Sequence, residues 1–415
     1  SLFDGGEALA RLVPALAGLG LVLTPLLLRR YLGRWGALGA GLFLALSPTA
    51  TLASRTLDGT TLAAIGVMVM VGAAARFLET YRPRWITLSG LALAVALTAG
   101  PAAWGLLLGL LIALGVGLWI WRDELGCILP VLRPLVGRWL VAAGVGLLLL
   151  GGGLLLNPAG LATTGQQLLV WLESFRPTAG LPLVSPFTLL VTYESLILLA
   201  GLVGLVLAVR RLHGLGMLLT FWAAVGWVQL ALRPGRTPLD LLWILLPLAV
   251  LGGLAVQALV KALIARGHWM NEGLHLLISL VLWVHFALTL ARYTQDGKQI
   301  NLLLAGLVVV LQLLLMAVFG FAVASPEEGT PEEAMRRGVL ASLRAGGLSL
   351  GAVLLIVGLA TTWSVTHFRA VDPQELLLTK PTAQEVRLFK ETVEQVSLLN
   401  TGALAGLPVT SLGEP

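Results

Sequence analysis

Residues 239–260, LDLLWILLPLAVLGGLAVQALV, are charged only at Asp240, next to the start of the stretch. A helix rising 1.5 Å per residue needs roughly 20 apolar residues to cross the hydrocarbon core of a bilayer. This stretch therefore reads as a membrane span, and the rest of the chain repeats the pattern. Twelve such stretches are predicted, at about 8–29, 36–53, 60–77, 84–99, 101–121, 136–156, 187–209, 214–232, 239–260, 272–291, 300–324 and 346–366. Those at 36–53, 60–77 and 84–99 are short and rich in Gly and Ala.

Composition agrees with this reading. The 415 residues are 57% hydrophobic and only 12% charged, with a mean hydropathy of +0.92. Soluble domains carry about 25% charged residues. The expected fold class is an all-α polytopic membrane protein of about twelve transmembrane helices with a small α/β segment at its C-terminal end.

Cations flank membrane spans mainly on the cytoplasmic side. With the N-terminus outside, the inner loops hold Arg29, Arg30, Arg34, Arg76, Arg82, Arg84, Arg122, Arg133, Arg138, Arg210, Arg211, Lys261, Arg266, Arg336, Arg337 and Arg344. That is sixteen of the 27 Lys and Arg residues. The expected location is the plasma membrane, multi-pass, with the C-terminal segment extracytoplasmic. A net charge of +6 does not imply nucleic acid here, because the cations stand at membrane borders and are not interleaved with aromatics on one face. Cys127 is the only cysteine, which excludes an intrachain disulfide and multi-cysteine metal ligation.

Two domains are expected, a membrane domain over 1–367 and a small polar domain over 368–415. In the long outer loop 157–186, Leu168, Leu169, Leu172 and Phe175 share a helical face with Trp171 beside them, as in an interfacial helix. Thr330, Pro331 and Glu333 open a cytoplasmic helix to about Arg344. In the tail, residues 375–379 and 407–412 read as strands, and Thr382 with Glu385 forms a capping box for a helix to about Leu399.

Ionisable groups in a membrane are functional candidates. Asp58, three residues after Arg55, is read either as half of a local ion pair or as a carboxylate facing an outer cleft. Glu194, eight residues past Pro186, would lie about 12 Å down its helix and need a partner, with Arg233 or Arg236 nominated. Asp240 suits a helix N-terminus, and the paired guanidiniums of Arg233 and Arg236 suit a lipid phosphate. His285 reads as a helix-packing hydrogen bonder. No nucleophile triad, P-loop or zinc motif stands out.

The opening EALARLVPALAGLGLVLTPLLLRRYLGRWGALGAGLFLALSPTATLASRTLD (7–58) resembles the C-type membrane glycosyltransferase superfamily (GT-C). NPAG (157–160), Tyr193-Glu194, LLPLAVLGG (245–253) and DPQELLLTKPTAQEV (372–386) are similar to its flippase-activity-associated, protein O-mannosyltransferase-like branch. The resemblance implies a GT-C-like fold and transfer of a sugar from a polyprenyl-phosphate donor to a lipid, protein or hydrophobic acceptor at the outer membrane face. It implies catalytic roles for Asp58 and Glu194 and phosphate-binding roles for Arg55, Arg233, Arg236 and Asp240. The resemblance assigns no definite cofactor beyond the polyprenyl-phosphate-linked sugar as donor, and a divalent metal is compatible with the chemistry. Membrane lipids, the lipid-linked sugar and other membrane subunits are the expected partners. The sequence departs from the family where the first helix and its acidic loop fall before Ser1. Asp58 stands two residues closer to Ser54-Arg55 than the family spacing, and Arg233 to Leu241 replaces a Glu-Lys and Pro-Trp motif. These departures keep open an inactive relative that serves as a structural or accessory subunit.

Overall fold

The computed structural model describes residues 7–56, 58–120, 122, 129–176, 181–211, 214–264, 269–323, 331–369, 372, 375–377, 384–403 and 406. Among these residues every regular element is helical. Apart from the short helical turns Thr24–Leu28, Arg29–Leu32, Pro238–Leu241 and Ser364–Phe368, in chain order they are α1 (Glu7–Leu23), α2 (Arg34–Leu46), α3 (Pro48–Ala53), α4 (Thr60–Thr80), α5 (Pro83–Ala99), α6 (Ala102–Ile120), α7 (Leu129–Gly151) and α8 (Ala159–Glu173). They continue with α9 (Ser185–Tyr193), α10 (Ser195–Arg210), α11 (Gly214–Leu232), α12 (Leu242–Ile264), α13 (Trp269–Asp296), α14 (Gln299–Val323), α15 (Pro331–Trp363) and α16 (Gln384–Thr401).

All twelve predicted stretches fall mainly on helix, yet only eight helices among the described residues are long and apolar enough to cross a membrane, or nine if α9 and α10 count as one bent span. The stretches at 36–53, 84–99 and 136–156 correspond to shorter apolar helices. The 13 residues of α2 reach about 20 Å at 1.5 Å per residue, short of a core of about 30 Å. The chain is a multi-pass helical membrane protein.

The quoted stretch decides the packing. Every residue from Leu242 to Gly253 is buried. Twelve consecutive buried positions cover all faces of a helix, so α12 is surrounded, by α2, α10 and α11. Lipid tails are as apolar as leucine, so close van der Waals packing through small residues holds such helices together. Gly204 of α10 shows this directly, because a Cβ there would lie 1.9 Å from the carbonyl oxygen of Leu251. Gly204→Leu is therefore expected to force α10 off α12 at a cost of roughly 3 kcal/mol, read as a lower unfolding midpoint in detergent. Gly115→Ala, with nothing within 4 Å of its Cβ, is the control, and equal melting of the two variants would contradict the packing assignment. By contrast α13, α14 and α15 pack mainly on one another and leave Leu277, Leu303 and Leu313 exposed.

Four local expectations are corrected. The span predicted at 36–53 breaks at Ser47, where ψ is 118° and Pro48 opens α3; proline disfavours helical geometry in the residue before it. The helix predicted from Pro331 to about Arg344 does not stop there but runs unbroken into the last span as the 33-residue α15, even through Gly346 and Gly347, which are poor helix formers; at Gly346 the close approach of Met316, 3.2 Å from where a Cβ would stand, gives glycine a packing role. In α8 the packed face is Leu168 and Trp171, continued by Phe175 just past its end, while Leu169 and Leu172 are exposed. Trp171 and Phe175 meet edge to face at 5.1 Å, and this aromatic pair draws the helix onto that face.

The fourth concerns the tail. Glu375 has no regular structure and residues 376–377 form a turn and not a strand. Residues 378–379, the second predicted strand at 407–412, and the caps Thr330 and Thr382 lie outside the described residues, as does Cys127. The predicted tail helix is present as α16.

Candidate functional site

One border of the helix bundle carries residues 54–56, 58–59, 174–176, 233–241 and 364–369, and with them the predicted site residues Arg55, Asp58, Arg233, Arg236 and Asp240. Its framework is built from two broken helices. At the first break, Ser47 Oγ accepts from the amide of Ala50 at 3.1 Å, an N-cap bond that satisfies one free donor of α3. On the other side of the break, the hydroxyl of Thr362 donates to the carbonyl of Leu46 at 2.6 Å.

The second break lies at Glu194, where α9 and α10 meet at 97°. Its carboxylate is 2% exposed. Oε1 accepts from the hydroxyl of Ser47 at 2.7 Å and from the amide of Thr49 at 3.0 Å. Glu194 therefore caps the N-terminus of α3, where helix geometry leaves donors without partners and favours a carboxylate. Two expectations fail here. The bend means that Glu194 is not 12 Å down a continuous span, and its partners are Ser47 and Thr49 and not Arg233 or Arg236.

Tyr193 points the other way from the same elbow. Its hydroxyl donates to Oε1 of Glu375, which is 4% exposed. Oε2 of Glu375 makes no hydrogen bond and lies 3.7 Å from Nη1 of Arg369, whose side chain is 59% exposed. Sequence reasoning quoted both motifs without pairing them; Tyr193, Glu375 and Arg369 are the residues it missed. The one signal was a lone acidic residue in an otherwise apolar run at 375–378.

Arg233 and Arg236 are both buried. Arg233 Nη1 lies 2.8 Å from Oδ1 of Asp240, its Nε donates to Ser174 Oγ at 2.5 Å, and its guanidinium stands 5.0 Å from the centre of the Trp243 ring. Arg236 donates to the carbonyls of Arg233 at 2.8 Å, Leu181 at 3.2 Å and Ala231 at 3.4 Å. Asp240 Oδ2 accepts from the amide of Thr237 at 2.6 Å and from its hydroxyl at 2.9 Å. The proposed phosphate grip is thus a closed cluster that ties Ser174 and Leu181 to residues 233–241.

Asp58 and Arg55 remain. They do not pair with each other. Asp58 Oδ1 accepts from Thr56 at 3.1 Å and from the amide of Thr60 at 3.0 Å, which caps α4, while Oδ2 has no such bond. Arg55 Nη1 donates to the carbonyl of Thr366 at 2.9 Å, three residues before Arg369. Both side chains are exposed. An exposed carboxylate and two exposed guanidiniums so share this border. No group of three His, Cys, Asp or Glu side chains that could hold a metal ion comes together among the described residues. His285 is exposed on α13 and not packed between helices; its carbonyl accepts from Thr289 at 2.9 Å.

No family model matches the chain, and no curated protein does. Two solved structures align with it. One is ArnT from Cupriavidus metallidurans bound to undecaprenyl phosphate, at 21% identity and a TM-score of 0.47, covering 89% of this chain and 66% of that one. The other is the same protein in the apo state, at 20% identity and a TM-score of 0.48, covering 89% of this chain and 65% of that one. The chain spans about two thirds of the length of the solved structures to which it is similar.

Proposed function

We propose that this chain is a membrane glycosyltransferase of the C type, taking a sugar from a polyprenyl-phosphate donor at the border that holds Asp58, with that border on the outer side of the plasma membrane. The observation that carries the reading is the exposed trio of Asp58, Arg55 and Arg369, with Arg55 anchored by one nitrogen to Thr366. The buried charges Glu194, Asp240, Arg233 and Arg236 then serve as framework.

In this scheme the free oxygen of Asp58 takes the proton of the acceptor hydroxyl. The acceptor oxygen bonds to the anomeric carbon as the bond from that carbon to the phosphate oxygen breaks. The electron pair leaves on the polyprenyl phosphate, whose charge Arg55 and Arg369 stabilise through charge-assisted hydrogen bonds. Asp58→Asn is expected to lower transfer from a synthetic polyprenyl-phosphate sugar by about 10²-fold or more while leaving the unfolding midpoint unchanged. Retained transfer in Asp58→Asn would remove the aspartate from this role.

A second reading is a catalytically inactive relative serving as a subunit of a membrane complex. It is favoured by the outward apolar faces of α13 and α14 together with His285 exposed midway along α13, since a histidine facing lipid is costly and one facing another subunit is not. Wild-type protein that transfers no sugar and is isolated with a partner would support it.

A further inference from the structure

At the opposite border, where α10 and α12 end and α2 begins, lies a cavity of about 240 Å³. Three cations line it, Arg30, Arg211 and Lys261. All three are exposed, and among the described residues none is paired with a carboxylate. The acidic side chain close to the neighbouring Tyr31, that of Glu79, is held by Arg76 at 3.1 Å. Like charges converging on one hollow repel one another unless an anion joins them.

The polar wall of the cavity is built and not incidental. Gln257 Oε1 accepts from the amides of Trp35 at 3.1 Å and Gly36 at 3.2 Å, which fixes the side chain across the start of α2. Its Nε2 donor is left over. The approach depends on Gly33, at φ +78°, where a Cβ would fall 2.4 Å from Gln257 Cδ. Leu32, Leu207 and Leu254 form the remaining wall. A charged, donor-rich end beside an apolar side matches a phosphate carried on an acyl chain better than a free anion. Basic pockets between transmembrane helices take lipid headgroups on this physical basis.

We propose that this cavity binds the phosphate of an anionic membrane lipid from the leaflet at that border, a site separate from the Asp58 border. The plain alternative is that Arg211 and Lys261 only complement the carbonyl ends of α10 and α12, and that the hollow selects nothing.

The test uses the full chain, purified and delipidated in neutral detergent, and followed by native mass spectrometry and by melting. Phosphatidylglycerol, phosphatidylcholine and inorganic phosphate are titrated separately. Phosphatidylglycerol is expected to bind and raise the melting temperature, with phosphatidylcholine and inorganic phosphate at least about tenfold weaker. Arg211→Gln with Lys261→Gln should weaken phosphatidylglycerol by about tenfold or more, since one charge-assisted bond is worth that factor. Arg82→Gln with Arg84→Gln, on the same border but outside the cavity, should leave binding unchanged. Should the double variant fail to fold, Gln257→Glu keeps the oxygen that caps α2, adds a negative charge, and is expected to weaken phosphatidylglycerol similarly. Equal phosphatidylglycerol affinity in wild type and variants, or no preference over phosphatidylcholine, overturns the site. Inorganic phosphate binding as tightly as phosphatidylglycerol overturns its assignment to a lipid.

Discussion

Glu194→Ala is expected to lower the unfolding free energy by about 3 kcal/mol, because it strands a buried hydroxyl and a buried amide, each costing about 1–3 kcal/mol without a partner. Those donors are Ser47 Oγ and Thr49 N, which share the same carboxylate oxygen. The loss would also loosen two broken helices at once, since Glu194 ends α9 and caps α3. Glu194→Gln keeps an acceptor oxygen in place, so its cost should be smaller, about 1 kcal/mol. The measurement is the unfolding midpoint in detergent for both variants. If both melt like wild type while sugar transfer disappears, Glu194 is a catalytic group and the framework role assigned to it is wrong.

The second large effect is expected at the buried ion pair. Arg233→Met should cost about 3–5 kcal/mol, because it leaves the Asp240 carboxylate buried without its cation. Asp240→Asn should cost less, since the cap to Thr237 can persist through the remaining oxygen. The pair Arg233→Met with Asp240→Asn should recover part of the loss, and a double-mutant cycle isolates that coupling. Lipid phosphate retained by the purified protein should be the same in all four proteins. A variant at Arg233 that melts normally but loses bound lipid phosphate would restore the donor-binding role that the sequence suggested.

The two results bear on different parts of the proposed activity. Framework residues at this border are expected to move stability and leave chemistry to Asp58, Arg55 and Arg369, whose exposure predicts the opposite pattern. An assay of stability beside transfer for both groups therefore separates support from catalysis.

The positions of the helices were legible because they depend on runs of apolar residues, a property that needs no knowledge of the fold. The same holds for short-range chemistry. Asp240 was read as a helix-start carboxylate, and its bonds to Thr237 three residues earlier are of that kind. The break at Ser47-Pro48 was also written locally, although it was read through as part of one span.

What tertiary structure alone decided is the choice of partners across the chain. Glu194 meets Ser47 from 147 positions away, Tyr193 meets Glu375 from 182 and Arg55 meets Thr366 from 311. A buried polar group must find a partner, so the sequence announced that Glu194 needed one. Which donor it met depended on a 97° bend and on helix packing. Arginines at a membrane border suggested a phosphate for the same reason, and the fold supplied Asp240 and three backbone carbonyls first.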